Sequence, residues 1–259
     1  MLEAYFDESE RRGGTFCVAG YVFAKPQAKK FTKEWSRLFA GIKNGLHMVD
    51  LVHGRGAFAG TTPNERDTLI VEAVRIINAR MSIGVGVSCN LAELKTHSPK
   101  WIRGFGHAYP VCCHLAMTAL GTYLDKCGNL EEVAYVFESG HAYESEARDF
   151  IKNVVVCAEL KQRFRYHSDA FVPKSDAVPL QPADLLAWEW AKFRDETLEQ
   201  SVRRIRKSLR ELFRSAPQRY RMHHITGKPL AKYMDQVRSL GLLQIKEQET
   251  RPPCHGSQV

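Results

Sequence analysis

The sequence predicts a mixed α/β fold, a sheet of parallel and antiparallel strands flanked by helices. Two strand-like runs stand a short turn apart within residues 2–24, and helical and strand patterns then alternate to about residue 195, as they do where helices pack on a sheet. Size agrees. A chain of 259 residues with 44% hydrophobic and 25% charged side chains can build one large packed core, and this composition excludes a fibrous or disordered chain.

Residues 2–7 alternate Leu2, Ala4 and Phe6 with Glu3, Tyr5 and Asp7, as a half-buried strand does. The turn Arg11-Arg12-Gly13-Gly14 follows, and 15–24, rich in Phe, Val and Tyr, reads as the antiparallel partner. Helical spacing covers 26–43 and 64–80. The second helix opens on Pro63-Asn64-Glu65 and places Leu69, Ile70, Ala73, Val74 and Ile77 on one side. Between them the Gly-rich stretch 47–60 reads as a loop, with Gly54, Gly56 and Gly60 supplying flexibility. A buried strand at 81–89, a long apolar helix at 107–126 and a buried strand at 133–137 come next, the last ending on Glu138-Ser139-Gly140-His141. Residues 144–160 return as a helix, 163–171 alternate as a strand, and 172–180 form a Pro-bounded loop. Pro182 then opens a helix at 182–193, proline suiting a first helical position. Residues 1–195 form the core, 196–247 a helical C-terminal appendage with a Pro/Gly break at 216–229, and 248–259 a flexible tail.

Charge is concentrated in that appendage. Lys and Arg number 37 against 29 Asp and Glu, a formal net charge of +8, and residues 201–221 hold eight of those cations with Glu211 as their only acid. On a helix, Arg203, Lys207, Arg210 and Arg214 share one face, and Val202, Ile205, Leu209, Leu212 and Phe213 form a neighbouring face that can dock. Such a face tracks the phosphates of DNA or RNA; a solvated surface helix is the alternative. The longest apolar runs, five residues, fall far short of the roughly 20 of a membrane span, and no basic-then-apolar leader opens the chain. Seven cysteines without paired spacing point to reduced thiols in a cytoplasmic protein.

No phosphate-binding Gly-x-x-x-x-Gly-Lys, no Gly-x-Gly-x-x-Gly after a strand, no Gly-x-Ser-x-Gly and no His-Glu-x-x-His occurs. Carboxylates remain: Asp7 with Glu8 after the first strand, Glu138 after a central strand, and Asp184 in the first turn of the helix at 182–193. If the two strands run parallel, Asp7 and Glu138 emerge at the same edge. Carboxylates that face one another repel unless a cation neutralises them. Mg²⁺ or Mn²⁺ takes oxygen ligands, and a pair of such ions activates water for phosphodiester hydrolysis. Each residue alone also has a structural explanation: an Asp in a first helical turn complements the helix dipole, and a Glu at a strand end is often merely exposed.

Asp7-Glu8 and Gln181-Pro182-Ala183-Asp184 resemble the Asp-Glu and Gln-x-x-Ala-Asp motifs of the "domain of unknown function 3800" proteins. The likeness extends to Leu46-His47-Met48-Val49-Asp50, to Val136-Phe137-Glu138-Ser139-Gly140-His141 and to the approach from Asp176 to Leu180, five motifs in register over residues 2–193. The resemblance implies a ribonuclease H-like fold and a metal-dependent nuclease or nucleic-acid-processing site. It implies Asp7, Glu138 and Asp184 as Mg²⁺ or Mn²⁺ ligands, and Glu8 as a further ligand or a residue behind them. His141 would orient water or protonate the leaving group. The chain departs from the pattern at Glu10-Arg11-Arg12, which delay the expected glycine to Gly13. We read His47 and Asp50 as a local hydrogen bond rather than a functional pair, and Trp188 as core or interface packing rather than a platform for a base.

The function expected is a metal-dependent nuclease. The alternatives are a nucleic-acid-binding or scaffold module with little turnover, and a hydrolase of a small phosphorylated substrate. A second copy of the chain, or a partner protein in defence or mobile-element biology, is left open.

Overall fold

Strand β1 (Leu2–Glu10) and strand β2 (Thr15–Ala24) form an antiparallel hairpin in register from Leu2 opposite Ala24 to Glu10 opposite Phe16. A computed structural model describes residues 1–42, 45–97, 107–198 and 206–239. At the hairpin tip Gly14 takes φ +88°, a left-handed conformation that costs glycine little. Helix α1 (Lys25–Leu38) ends at Phe39, short of the expected residue 43. The stretch read as a loop contains α2 (Met48–His53) and a 3-10 turn at Gly56–Phe58. Helix α3 (Pro63–Arg80) starts on a capping box: Glu65 N–H donates to Thr62 Oγ1 at 3.3 Å and Thr62 N–H to Glu65 Oε2 at 2.7 Å.

Strand β3 (Ile83–Asn90) pairs antiparallel with β2, and α4 (Leu91–His97) and α5 (Ala108–Lys126) follow. Strand β4 (Val133–Glu138) returns beside β1 in parallel. The helix expected at 144–160 is two, α6 (Glu144–Val156) and α7 (Ala158–Arg163), broken at Cys157 with φ −98° and ψ 108°. The preceding Val154-Val155-Val156 explains the break, since β-branched residues crowd a helix. Strand β5 (Tyr166–Val172) pairs parallel with β4. Helix α8 (Leu180–Leu198) starts two residues before Pro182. The proline is tolerated at the third position because N–H groups there have no intrahelical acceptor.

Helix α9 (Lys207–Ser215), strand β6 (Tyr220–Ile225) and helix α10 (Gly227–Ser239) complete the described chain. The region read as a Pro/Gly break between helices therefore holds a strand. It pairs parallel with β3 and makes the sheet order β5-β4-β1-β2-β3-β6. Arg219 anchors it by donating to the carbonyls of Met81 at 2.8 Å and Asn78 at 2.6 Å. Arg203 and the tail at 248–259 lie outside the described residues.

Helices cover both faces of this six-stranded mixed sheet. Leu2, Ala4, Phe6 and Val18 pack against α5, α6 and Leu230 of α10, while Ala19, Tyr21 and Phe23 pack against α1, α3, α8 and α9. On the first face Phe6 stacks on Phe137 at 5.6 Å and Phe137 on Phe171 at 5.2 Å, joining β1, β4 and β5. Strand alternation then turns the next residues of β1 and β4, Asp7 and Glu138, to the opposite face, where α8 lies. Among the described residues no helix is long and apolar enough to cross a membrane.

Candidate metal centre

The parallel register that sets Phe6 opposite Phe137 makes Asp7 and Glu138 neighbours, and α8, packed across β1 and β2, brings Asp184 to them. The turn between β5 and α8 adds a residue absent from the expected set. Lys174 places its ammonium 2.8 Å from Asp7 Oδ2, 2.9 Å from Glu138 Oε2 and 3.2 Å from Asp184 Oδ2. Asp7 and Asp184 are buried, where an unpaired carboxylate would be costly. Main chain also holds them: Asp7 Oδ1 accepts from Glu8 N–H at 2.7 Å, and Asp184 Oδ2 from Met48 N–H at 3.0 Å.

Glu8 completes the cluster. Carboxylate oxygens of Asp7, Glu8 and Glu138 lie within 4.8 Å of one another, and among the described residues the buried Glu8 Oε2 has no hydrogen-bond partner. Burial raises the Asp7 pKa, with the Glu138 hydrogen bond adding to it and Lys174 opposing. Burial, and then the Asp7 charge, push Glu8 up to about 8. At Lys174 burial works against the ammonium, but Asp7, Asp184 and Glu138 outweigh it and hold the pKa above the ordinary lysine value. Three carboxylates thus share the Lys174 ammonium, with Glu8 beside them. An all-oxygen donor set, a spare buried Glu8 oxygen and an ammonium already drawn among the acids fit a hard divalent ion such as Mg²⁺ or Mn²⁺.

The chain matches no protein-family model and no curated protein. Asp7, Glu138 and Asp184 meet around one point, with Glu8 beside it. Because α8 begins at Leu180, Asp184 lies beyond the first turn where it was expected, and its carboxylate faces Lys174 and Met48 instead of the helix terminus. His141 stands apart: its ring stacks on Tyr109 at 4.1 Å and its Nδ1 accepts from Tyr143 N–H at 3.1 Å. Among the described residues no hydrogen bond joins it to the four carboxylates. Burial lowers its pKa, with Glu144 opposing.

The local hydrogen bond expected between His47 and Asp50 is not formed. His47 precedes α2 with an exposed side chain that caps nothing, and among the described residues neither side chain has a hydrogen bond. What holds this segment is its backbone. Gln181 Oε1 accepts from Leu46 N–H at 3.1 Å and from the Trp35 indole N–H at 2.7 Å, while Asp184 grips Met48. Gly45, at φ +72°, passes so near that a Cβ there would lie 2.0 Å from Gln181 Nε2. Gln181 and Asp184 thus act as one clamp on residues 46–48.

Trp188 is buried, with the Arg11 and Arg206 guanidinium groups 5.3 and 4.9 Å from its ring. It packs; it does not offer a free face to a base. In α9, Leu209 and Leu212 dock on the core and leave Lys207, Arg210 and Arg214 exposed, Arg214 paired with Glu211 at 2.8 Å. Arg206 is drawn away to the buried Glu189 at 3.2 Å.

Lys174 escaped the sequence reading because a lone lysine in a Pro-bounded loop looks like any solvated lysine. Its one sequence signal is nearness to the Gln181-to-Asp184 motif.

Proposed function

We propose that the chain is a ribonuclease H-like, divalent-metal-dependent nuclease resembling the "domain of unknown function 3800" proteins. The single observation that carries this is the convergence of carboxylates from β1, β4 and α8 on one cation, with Glu8 beside them. The sheet order, with β1 flanked by antiparallel β2 and parallel β4, is compatible with such a fold. Asp7, Glu138 and Asp184, with Glu8, would hold Mg²⁺ or Mn²⁺. When bound, such an ion lowers the pKa of water and offsets charge on a phosphodiester in hydrolysis.

The protein's own contribution is placement. Asp7 and Glu138 are fixed by paired strands, and Asp184 by Met48 N–H and Lys174. Lys207, Arg210 and Arg214 offer phosphate contacts on α9, with Arg203 preceding them in sequence. His141, stacked on Tyr109 and accepting from Tyr143 N–H, stands outside the carboxylate cluster, and burial favours its neutral form, so no proton-transfer step is assigned to it. The test is cleavage of DNA, RNA and hybrid duplexes by the purified full chain with Mg²⁺ or Mn²⁺. Metal-dependent cleavage lost in Glu138→Gln supports the proposal, and a folded protein that cleaves none of them overturns it.

One observation favours a second reading, a nucleic-acid-binding module with little turnover: Lys174 already neutralises part of the acidic cluster. Nucleic-acid binding that is indifferent to metal and to Glu138→Gln would support that alternative.

A further inference from the structure

The geometry points to Lys174 as the permanent occupant of one of two adjoining cation positions, so that the centre takes one divalent ion where a two-metal site would take two. The inference rests on the metal-dependent function proposed above and specifies how that site is loaded. Two overlapping sets of oxygens are present. Asp7, Glu8 and Glu138 form one, with oxygens within 4.8 Å of each other. Asp7, Glu138 and Asp184 form the other, and the Lys174 ammonium lies within 3.2 Å of all three. Asp7 and Glu138 belong to both, as bridging carboxylates do in two-metal sites with ions about 3.5–4 Å apart. Glu8, whose buried Oε2 has no hydrogen-bond partner among the described residues, belongs to the first set alone.

The ammonium is surrounded by as many carboxylate oxygens as it has N–H groups, so it is saturated where it stands. Its turn is fixed by hydrogen bonds from Asp176 N–H to the Pro173 carbonyl and from Leu180 N–H to the Ala177 carbonyl, both 2.9 Å. The side chain is largely buried, 14% exposed. On this loading Asp184 is not the direct ligand of the ion that the resemblance implies, but acts through Lys174 as a positioning residue, and Asp7, Glu8 and Glu138 are left to the exchangeable ion.

Manganese titration of the full chain, followed by calorimetry and by the electron-spin signal of free Mn²⁺, tests this without reference to activity. Wild type and Lys174→Arg should each bind one Mn²⁺ per chain, and Lys174→Met two. Glu8→Gln should weaken the single ion more than about tenfold, by the general cost of disturbing metal ligation, while Asp184→Asn changes its affinity less than about threefold. Two ions in wild type, or one in Lys174→Met, overturns the assignment. No ion in wild type but one in Lys174→Met also overturns it, since the lysine would then block the sole metal position while the metal reading survives. No ion in any folded variant means that the metal-dependent function itself has failed. If Lys174→Met does not fold, the Glu8→Gln and Asp184→Asn pair decides: equal losses, or a larger loss at Asp184, contradict the assignment.

Discussion

Lys174 donates from its ammonium to Asp7 Oδ2 at 2.8 Å across 167 residues of sequence, tying the turn before α8 to the middle of the sheet. Replacing Asp7 by Asn removes one of several crowded carboxylates and leaves Lys174 paired with Glu138 and Asp184. Thermal unfolding of Asp7→Asn in chelator should therefore occur at or above the wild-type temperature. Metal-dependent cleavage should fall more than about 100-fold, since even outer partners of a metal are worth about 10–100-fold. A clear loss of thermal stability would contradict the crowding.

Gln181 is a structural clamp. Its Oε1 accepts from Trp35 and from Leu46 N–H, both buried bonds. Gln181→Ala leaves two buried donors unsatisfied and should cost about 2–6 kcal/mol in denaturant unfolding, at about 1–3 kcal/mol for each orphaned group. Gln181→Glu keeps an acceptor and should lose less.

His114 sets a pH dependence of stability. It is buried on α5 beside Phe150 and Phe164, bonded through Nδ1 to the Tyr233 hydroxyl, and burial, aided by Arg163, lowers its pKa from 6.5 to about 3. Between those values the unfolded chain binds a proton that the folded chain does not. The stability contribution is thus present above pH 6.5 and lost as pH falls towards 3, at up to about 1.4 kcal/mol per pH unit. His114→Gln should flatten that part of the curve of unfolding free energy against pH; an unchanged slope would show that His114 does not set it.

On α9 the exposed cations Lys207, Arg210 and Arg214 should carry salt-dependent affinity for nucleic acid. Changing all three to Gln should lower the slope of log affinity against log salt by about 2, each phosphate contact contributing about 0.9 and Arg214 contributing less because Glu211 already holds it. Binding to any nucleic acid whose salt slope stays constant would place the phosphate contacts elsewhere.

The first strand was legible because its inward and outward residues differ in kind at period two, and α3 because Thr62, Pro63 and Glu65 announce a helix start. Glu138 could be found from its place at a strand end; Asp7 was expected at one too, but the pairing of β1 with β2 continues to Glu10 and leaves Asp7 and Glu8 inside the strand. The start of α8 was misread because Pro182 is as harmless at the third helical position as at the first. Strand β6 was hidden: its six residues fall between two helical patterns, and its partner β3 lies far back in the chain. Lys174 and the Gln181 clamp required the tertiary fold, since nothing local says that a lysine or an amide will point into the protein.

The most direct test of the metal centre is anomalous diffraction at the manganese edge from crystals of the full chain grown with Mn²⁺. A manganese peak bound by the Asp7 and Glu138 carboxylates is the predicted result. An ordered cluster of Asp7, Glu8, Glu138, Lys174 and Asp184 with no manganese among its oxygens at saturating Mn²⁺ would contradict it.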